Sequence, residues 1–303
     1  MRRPAPPSSV SDRKRELPPG AVDFDAEVSV LADSAVFYCR DREAAAAGTT
    51  PERLISKAFE RAAAIADAAE RGARAKHVTA CRKGCSWCCH QNVRASAAEV
   101  FYLARWLRVH LPADELQALS AHARDSAARL KSMPQPQRAL ARIACALLDP
   151  ATGACRAHEA RPMLCRGQLS LSAQTCQRAV ESPGEHRFEP LLEAIHGAGL
   201  ASMSLELEFG FLGGGPVSGE LTAMLAVALT DATAEARWSH GENPFPRHNE
   251  FSTHLNSRMA RMLAAAWARL ADERHEDAGE TADVRAAAMK YLRQATGADE
   301  SLH

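Results

Sequence analysis

Residues 81–107 read CRKGCSWCCHQNVRASAAEVFYLARWL, and the two halves of this stretch do different work. The first half carries Cys81, Cys85, Cys88 and Cys89 in the spacing C-x3-C-x2-C-C. The second opens on Ser96-Ala97-Ala98-Glu99, a capping box that starts a helix by satisfying its first backbone N–H groups. Phe101, Leu103, Trp106, Leu107 and Val109 then fall at helical intervals. A thiol knuckle running directly into a capped helix sets the expected fold. It is all-α, a helical domain built around a cysteine-cluster metal site, with irregular segments bearing the cysteines.

Outward from this stretch the pattern stays helical. Upstream, Thr50-Pro51-Glu52 supplies an N-cap hydroxyl, a proline at the first helical position and an acid near the positive helix end. The helix is expected over 50–77, with Leu54, Ile55, Phe59, Ala62 and Ile65 as its apolar stripe. Downstream, Pro112-Ala113-Asp114-Glu115 begins a helix reaching 133, and Met133-Pro134-Gln135-Pro136 breaks the chain. A second cysteine group follows over 145–176 among turns. Beyond it, helices are expected at Phe188–Leu200, Ala201–Phe209, Ser218–Thr230 and Ala232–Trp238, with Gly213-Gly214-Gly215-Pro216 as a separator. Two more close the chain, near Ser257–Ala271 and Thr281–Ala295. The domain reading is a loosely ordered arm over 1–45, a helical domain over 46–260 holding the cysteine region 81–176, and C-terminal helices over 261–303.

Composition agrees with helices. Of 303 residues, 46% are hydrophobic and only 5% aromatic, and alanine makes up about a fifth. Alanine has the best helix propensity, whereas sheets draw on aromatic and β-branched residues. Lys+Arg and Asp+Glu are both 37, so bulk charge gives no reason to bind nucleic acid. No apolar run approaches the ~18 residues of a membrane span. The first twenty residues, MRRPAPPSSVSDRKRELPPG, have no apolar core of an export signal. The expected compartment is therefore cytoplasmic and reducing, where clustered cysteines bind metal or do redox chemistry more often than they form disulfides. Nothing in the composition names a substrate or partner; it disfavours a membrane and gives no clear nucleic-acid signal.

Nine cysteines carry the chemistry. Cys39 stands alone and is expected not to be a ligand. The expected metal ligands are Cys81, Cys85, Cys88, Cys89, Cys145, Cys155, Cys165 and Cys176, because thiolate sets select zinc, copper(I) or iron–sulfur clusters. If residues 81–89 were helical, Cys81, Cys85 and Cys88 or Cys89 would share a face; Gly84 suits a tight non-helical knuckle equally well. Neighbouring Cys88 and Cys89 cannot easily reach one small ion. Either one is structural, or they serve two centres. Eight thiols suffice for two four-thiolate sites, or for one site plus a redox pair. The halves are expected to converge on one region. His90 and His158 are expected to be polar neighbours rather than ligands. Trp87, Phe101, Trp106 and Leu164 are expected to form a dry shell, and Arg166 or Arg161 to offset thiolate charge or else lie exposed.

The first segment, followed by a helix with an early Glu99, resembles the opening of the YkgJ-type cysteine-cluster family, known by its CxxCxxCC signature. The second half is similar too: Cys145, Leu148, Gly153, Cys155, His158, Arg161-Pro162 and Cys165-Arg166 stand in the family's order. The spacing departs at Cys81–Cys85, which has three intervening residues instead of two. The resemblance implies chelation of zinc or iron, an iron–sulfur cluster included, in a structural or redox-active centre. One branch of the family includes flagellin lysine methylases, which implies the alternative of a protein-modifying enzyme, such as a lysine N-methylase, supported by the metal. The chain's own hint of a nucleotide cofactor, the glycine-rich Gly210–Gly215 stretch, follows no expected strand and reads as a helix–helix loop. No catalytic residue is identified.

Overall fold

In the computed structural model, the described residues are 41, 44, 45, 47–131, 133, 141–211 and 217–245. Cys39, the arm over 1–40, the break at 134–140, the glycines Gly213–Gly215 and the expected helices at 257–271 and 281–295 lie outside them.

Helix α1 spans Pro51–Lys76, with proline at its start, Glu52 in its first turn and Arg74 and Lys76 in its last. That charge order complements the helix dipole. Thr50 occupies the cap position, yet its side chain accepts no backbone N–H. It instead hydrogen-bonds the Glu52 carboxylate, which holds that acid below its usual range. The buried face of α1 carries Leu54, Ile55, Ala58, Phe59, Ala62, Ala66 and Ala73. Ile65 is only partly buried against the same core.

The small residues set the main packing contact. Helix α6, Leu192–Phe211, lies along α1. A Cβ at Gly197 would come within 2.4 Å of the Ala69 Cβ, so the helices touch backbone to side chain here. The sequence suggests two helices over this stretch, divided near Leu200. One continuous helix forms because its glycine acts as a contact point with α1 and not as a breaker.

The capping box forms as expected. Ser96 accepts from Glu99 N–H, the Glu99 carboxylate accepts from Ser96 N–H, and α2 runs Ala97–His110. Helix α3, Ala113–Lys131, packs chiefly on α7, Leu221–Thr230, and not around the cysteines. Phe101 likewise packs on Trp238 and Phe245, and Trp106 stacks on His110. These rings serve the helical core and not a shell around the thiols.

A small sheet corrects the all-α expectation. Strand β1, Arg94–Ser96, pairs antiparallel with β2, Ser218–Glu220, in the register Arg94↔Glu220, Ala95↔Gly219, Ser96↔Ser218. Each strand's last residue caps the helix that follows: Ser96 caps α2, and Glu220 accepts from Thr222 and Ala223 N–H at the start of α7. The expected helix from Ser218 therefore begins only at Leu221. Three-residue strands are too short to show an alternating pattern. The remaining helices are α4, Met163–Arg166, α5, Ala173–Glu181, and α8, Ala234–Ser239. No helix among the described residues is long and apolar enough to cross a membrane.

Candidate metal centre

The first thiol segment is built on backbone pairing and one glycine. Ala80 N–H donates to Ser170 O at 2.8 Å, and Ser170 N–H donates to the Cys81 sulfur at 3.3 Å. Cys85 N–H then closes a turn onto Arg82 O at 3.0 Å. Gly84 within that turn has φ +82°, in the left-handed region that disfavours a side chain. A single 3-10 turn, Trp87–His90, carries Cys88 and Cys89. Of the two geometries open to the sequence, the segment adopts the knuckle.

The second segment folds back as a hairpin. Asp149 N–H donates to Ala154 O at 2.8 Å, Arg156 N–H to Leu147 O at 2.9 Å, and Leu148 bridges Cys155. The Asp149 carboxylate ties the turn by accepting from Ala151 N–H and the Thr152 hydroxyl, at 2.9 Å each. Cys145 and Cys155 stand at the two arms of the hairpin. The sulfur of Cys145 accepts the N–H of Leu147, and that of Cys155 the N–H of Ala157. Backbone N–H groups aimed at sulfur are what a thiolate ligand needs around it. Pro162 then starts the short α4 that presents Cys165, and Ser172 caps α5, which carries buried Cys176.

The two halves meet. Cys145 N–H donates to Cys89 O at 2.7 Å. Gly153 in the hairpin turn, φ +67°, approaches so closely that a Cβ there would sit 2.8 Å from Gly84 O. The thiols form two neighbouring groups joined at Cys88. Cys81 and Cys176 each feel Cys85 and Cys88, while Cys165 feels Cys88 and Cys155, and Cys145 feels Cys155 and Cys165. Cys88 also hydrogen-bonds Cys89. All eight are free thiols: Cys176 is buried and the other seven partly so. Burial pushes the thiols of Cys145, Cys165, Cys155, Cys81 and Cys176 above the ordinary range. The hydrogen bond with Cys89, then burial, does the same for Cys88.

Among the described residues, no three His, Cys, Asp or Glu side chains converge tightly enough to make a coordination sphere as they stand. The surroundings nonetheless fit a thiolate-bound ion. His90 Nδ1, Gln91 Nε2 and Arg161 Nε are buried without a hydrogen-bond partner. All three belong to the cysteine-bearing segments, and donors left over beside sulfur are suited to an anionic thiolate cluster. A cation binding here must displace protons from thiols whose pKa is raised, so its affinity should increase with pH.

Two arginines near the thiols, Arg161 and Arg166, are each paired with an acid of α1. Arg161 acts on Cys155, Cys165 and Cys88, lowering all three, and is itself paired with Glu70 at 3.2 Å. Arg166 turns away. Its guanidinium pairs with Asp67 at 2.7 Å, donates to the carbonyls of Arg161 and Glu159, and lies over the Phe59 ring. Arg161 is therefore the compensating cation, and Arg166 is a buried strut. His158 is exposed, and its pKa is lowered by burial of its ring and by Arg161.

Glu99 has a part that its sequence role as a cap does not reveal. It is fully buried, and its second oxygen accepts from Met163 N–H at 2.8 Å, the first residue of the helix that carries Cys165. Ser202 on α6 donates to it at 3.0 Å. Burial raises its pKa against the pull of these donors. One carboxylate thus ties the helix after the first thiol segment to the helix inside the second. Asp67 and Glu70 on α1 carry no sequence signal of their roles, because their partners lie 99 and 91 residues away.

Residues 80–181 match the family model CxxCxxCC, described as "Putative zinc- or iron-chelating domain". No curated protein and no solved structure matches the chain.

Proposed function

We propose that Cys81, Cys85, Cys88, Cys89, Cys145, Cys155, Cys165 and Cys176 hold zinc or iron in one contiguous thiolate centre, a reading supported by the match of residues 80–181 to the CxxCxxCC zinc- or iron-chelating model. The observation that carries this reading is the meeting of the two halves, where the backbone of Cys145 is bound to that of Cys89 and Gly153 is pressed on Gly84. Cys81, Cys85, Cys88 and Cys176 make one quartet. Cys145, Cys155 and Cys165 make the other, completed by Cys89, so that the adjacent Cys88 and Cys89 divide between the two. This division removes the strain of aiming two neighbouring side chains at one ion.

The centre stabilises the cysteine half of the fold. Residues 80–91 and 145–167 contain only one turn of 3-10 helix and one short α-helix between them. Closing such loops costs conformational entropy that metal–ligand bonds can offset. Seven of the eight cysteine residues are only partly buried, so the centre lies near the surface, which suits redox or exchange chemistry as well as structure.

Anaerobic purification followed by elemental analysis and a visible spectrum tests the reading. Stoichiometric zinc in a colourless protein, or iron with acid-labile sulfide and broad visible absorption, is the expected result. A metal-free protein that is fully folded and takes up neither ion would overturn it.

A further inference from the structure

Four large hydrophobic side chains stand exposed among the described residues, and three of them gather at one place: Val78 at 94%, Leu171 at 56% and Leu192 at 62%. Hydrogen bonds fix their proximity. Ala80 N–H donates to Ser170 O, Leu191 N–H donates to Leu169 O, and His77 Nε2 pairs with Glu193 at 2.8 Å. The chain segments 77–80, 169–171 and 191–193 thus run side by side, and each apolar residue adjoins a bonded one. The patch abuts Cys81, whose sulfur is bound by Ser170 N–H.

One side of this patch is basic. Residues 71–94 contain six Lys or Arg and no Asp or Glu, in a chain whose formal net charge is zero. Arg74 is engaged by Glu70 and the Thr79 hydroxyl, whereas Lys76, Arg82 and Lys83 are exposed. Glu193, held by His77, borders this basic stretch and feels the charge of Lys76.

We propose that Val78, Leu171 and Leu192, with Lys76, Arg82 and Lys83, dock an acidic segment of a partner polypeptide that carries apolar anchors, placing it beside the thiols. Aliphatic side chains framed by cations match a partner that presents Leu or Ile among Asp and Glu. A nucleic acid would gain nothing from exposed Val and Leu, which offer no stacking face. Interfacial membrane binding uses the continuous face of one amphipathic helix, whereas these three side chains stand on three separate segments, 77–80, 169–171 and 191–193. Three side chains make a small contact, of the size found in transient encounters. The inference does not depend on which metal the thiols hold.

The test starts from the metal-loaded full chain, panned against a phage library of random peptides. An enriched peptide, fluorescently labelled, is titrated by anisotropy against the wild type and two triple variants. One is Val78→Ser/Leu171→Ser/Leu192→Ser; the other is Lys76→Glu/Arg82→Glu/Lys83→Glu. Enriched sequences should combine Asp or Glu with Leu, Ile or Val, and bind more weakly as salt rises. Each triple variant should lose about tenfold or more in affinity while keeping its metal content and melting temperature. If a triple variant loses metal, the single variants Val78→Ser and Lys83→Glu take its place and should each still weaken binding. Enrichment without acidic character, or equal binding by the variants, would overturn the proposal. So would patch-dependent binding to phosphatidylglycerol vesicles or to an oligonucleotide in the absence of peptide binding.

Discussion

Glu99 shows how a single side chain can serve two elements distant in sequence. Its carboxylate receives Ser96 N–H, the Ser96 and Ser202 hydroxyls and Met163 N–H, all in a site with no water contact. Glu99→Ala leaves buried donors unpaired and should destabilise the protein by about 3 kcal/mol, since bonds to a charged group contribute more than neutral ones. Metal content should fall along with the melting temperature, because Met163 begins the turn that aims Cys165. A variant that melts normally with full metal would refute this role. Gly153 is the second such residue. Gly153→Ala adds a methyl in the left-handed region and against Gly84 O, which should cost about 2 kcal/mol and loosen the two thiol segments from each other. Faster metal loss to a chelator, measured by stopped-flow, is the expected sign, and an unchanged rate would count against it.

At the scale of elements, what the sequence reveals follows from how local the signal is. The capping box before α2 and the proline start of α1 are written in adjacent residues, and both helices form where those signals place them. The β1–β2 pair is not legible, because three-residue strands 124 positions apart leave no periodic trace. The candidate thiol ligands are read from spacing alone, but the meeting of the two segments involves Gly153 pressed on Gly84, a tertiary contact between two residues that each look like ordinary turn glycines. The same limit hid the difference between Arg161 and Arg166, which is decided by Glu70 and Asp67 on α1.

A further element-scale consequence lies on α6. Glu208 is buried against Arg61 and Asp41, and desolvation, with the Asp41 carboxylate beside it, pushes its pKa up to about 9. Its ordinary value is 4.5, so the folded state holds a proton that the unfolded chain releases. The contribution of this group to stability is therefore full below about pH 4.5 and declines as pH rises towards 9. Glu208→Gln keeps the neutral shape and removes the linkage. Its melting temperature should vary less than the wild type's between those limits, and equal pH profiles would contradict the assignment.

For the whole molecule, the helical core and the cysteine half differ in what holds them. The core around Phe101, Trp238, Leu103 and Leu205 is apolar and continuous. The second thiol segment joins this core through Ala146, Leu147, Ala157, Ala160 and Met163, whereas the first meets only a satellite cluster of Ala73, Leu169 and Ala194, against which Cys81 packs. With so little regular structure of their own, residues 80–91 and 145–167 should loosen first when the metal is removed. Hydrogen exchange after chelation should rise there before it rises in α1, α2 and α6, and uniform exchange across the chain would argue against a metal-held half. Structural zinc sites contribute on the order of 10 kcal/mol to folding, ample for segments with so little regular structure. The most direct test of the central claim is metal content per folded chain in Cys85→Ser and Cys155→Ser, one lesion in each half. A contiguous centre predicts that either lesion depresses metal binding across both quartets. Two separate, independent metal fractions, each lost with its own cysteine and leaving the other intact, would contradict it.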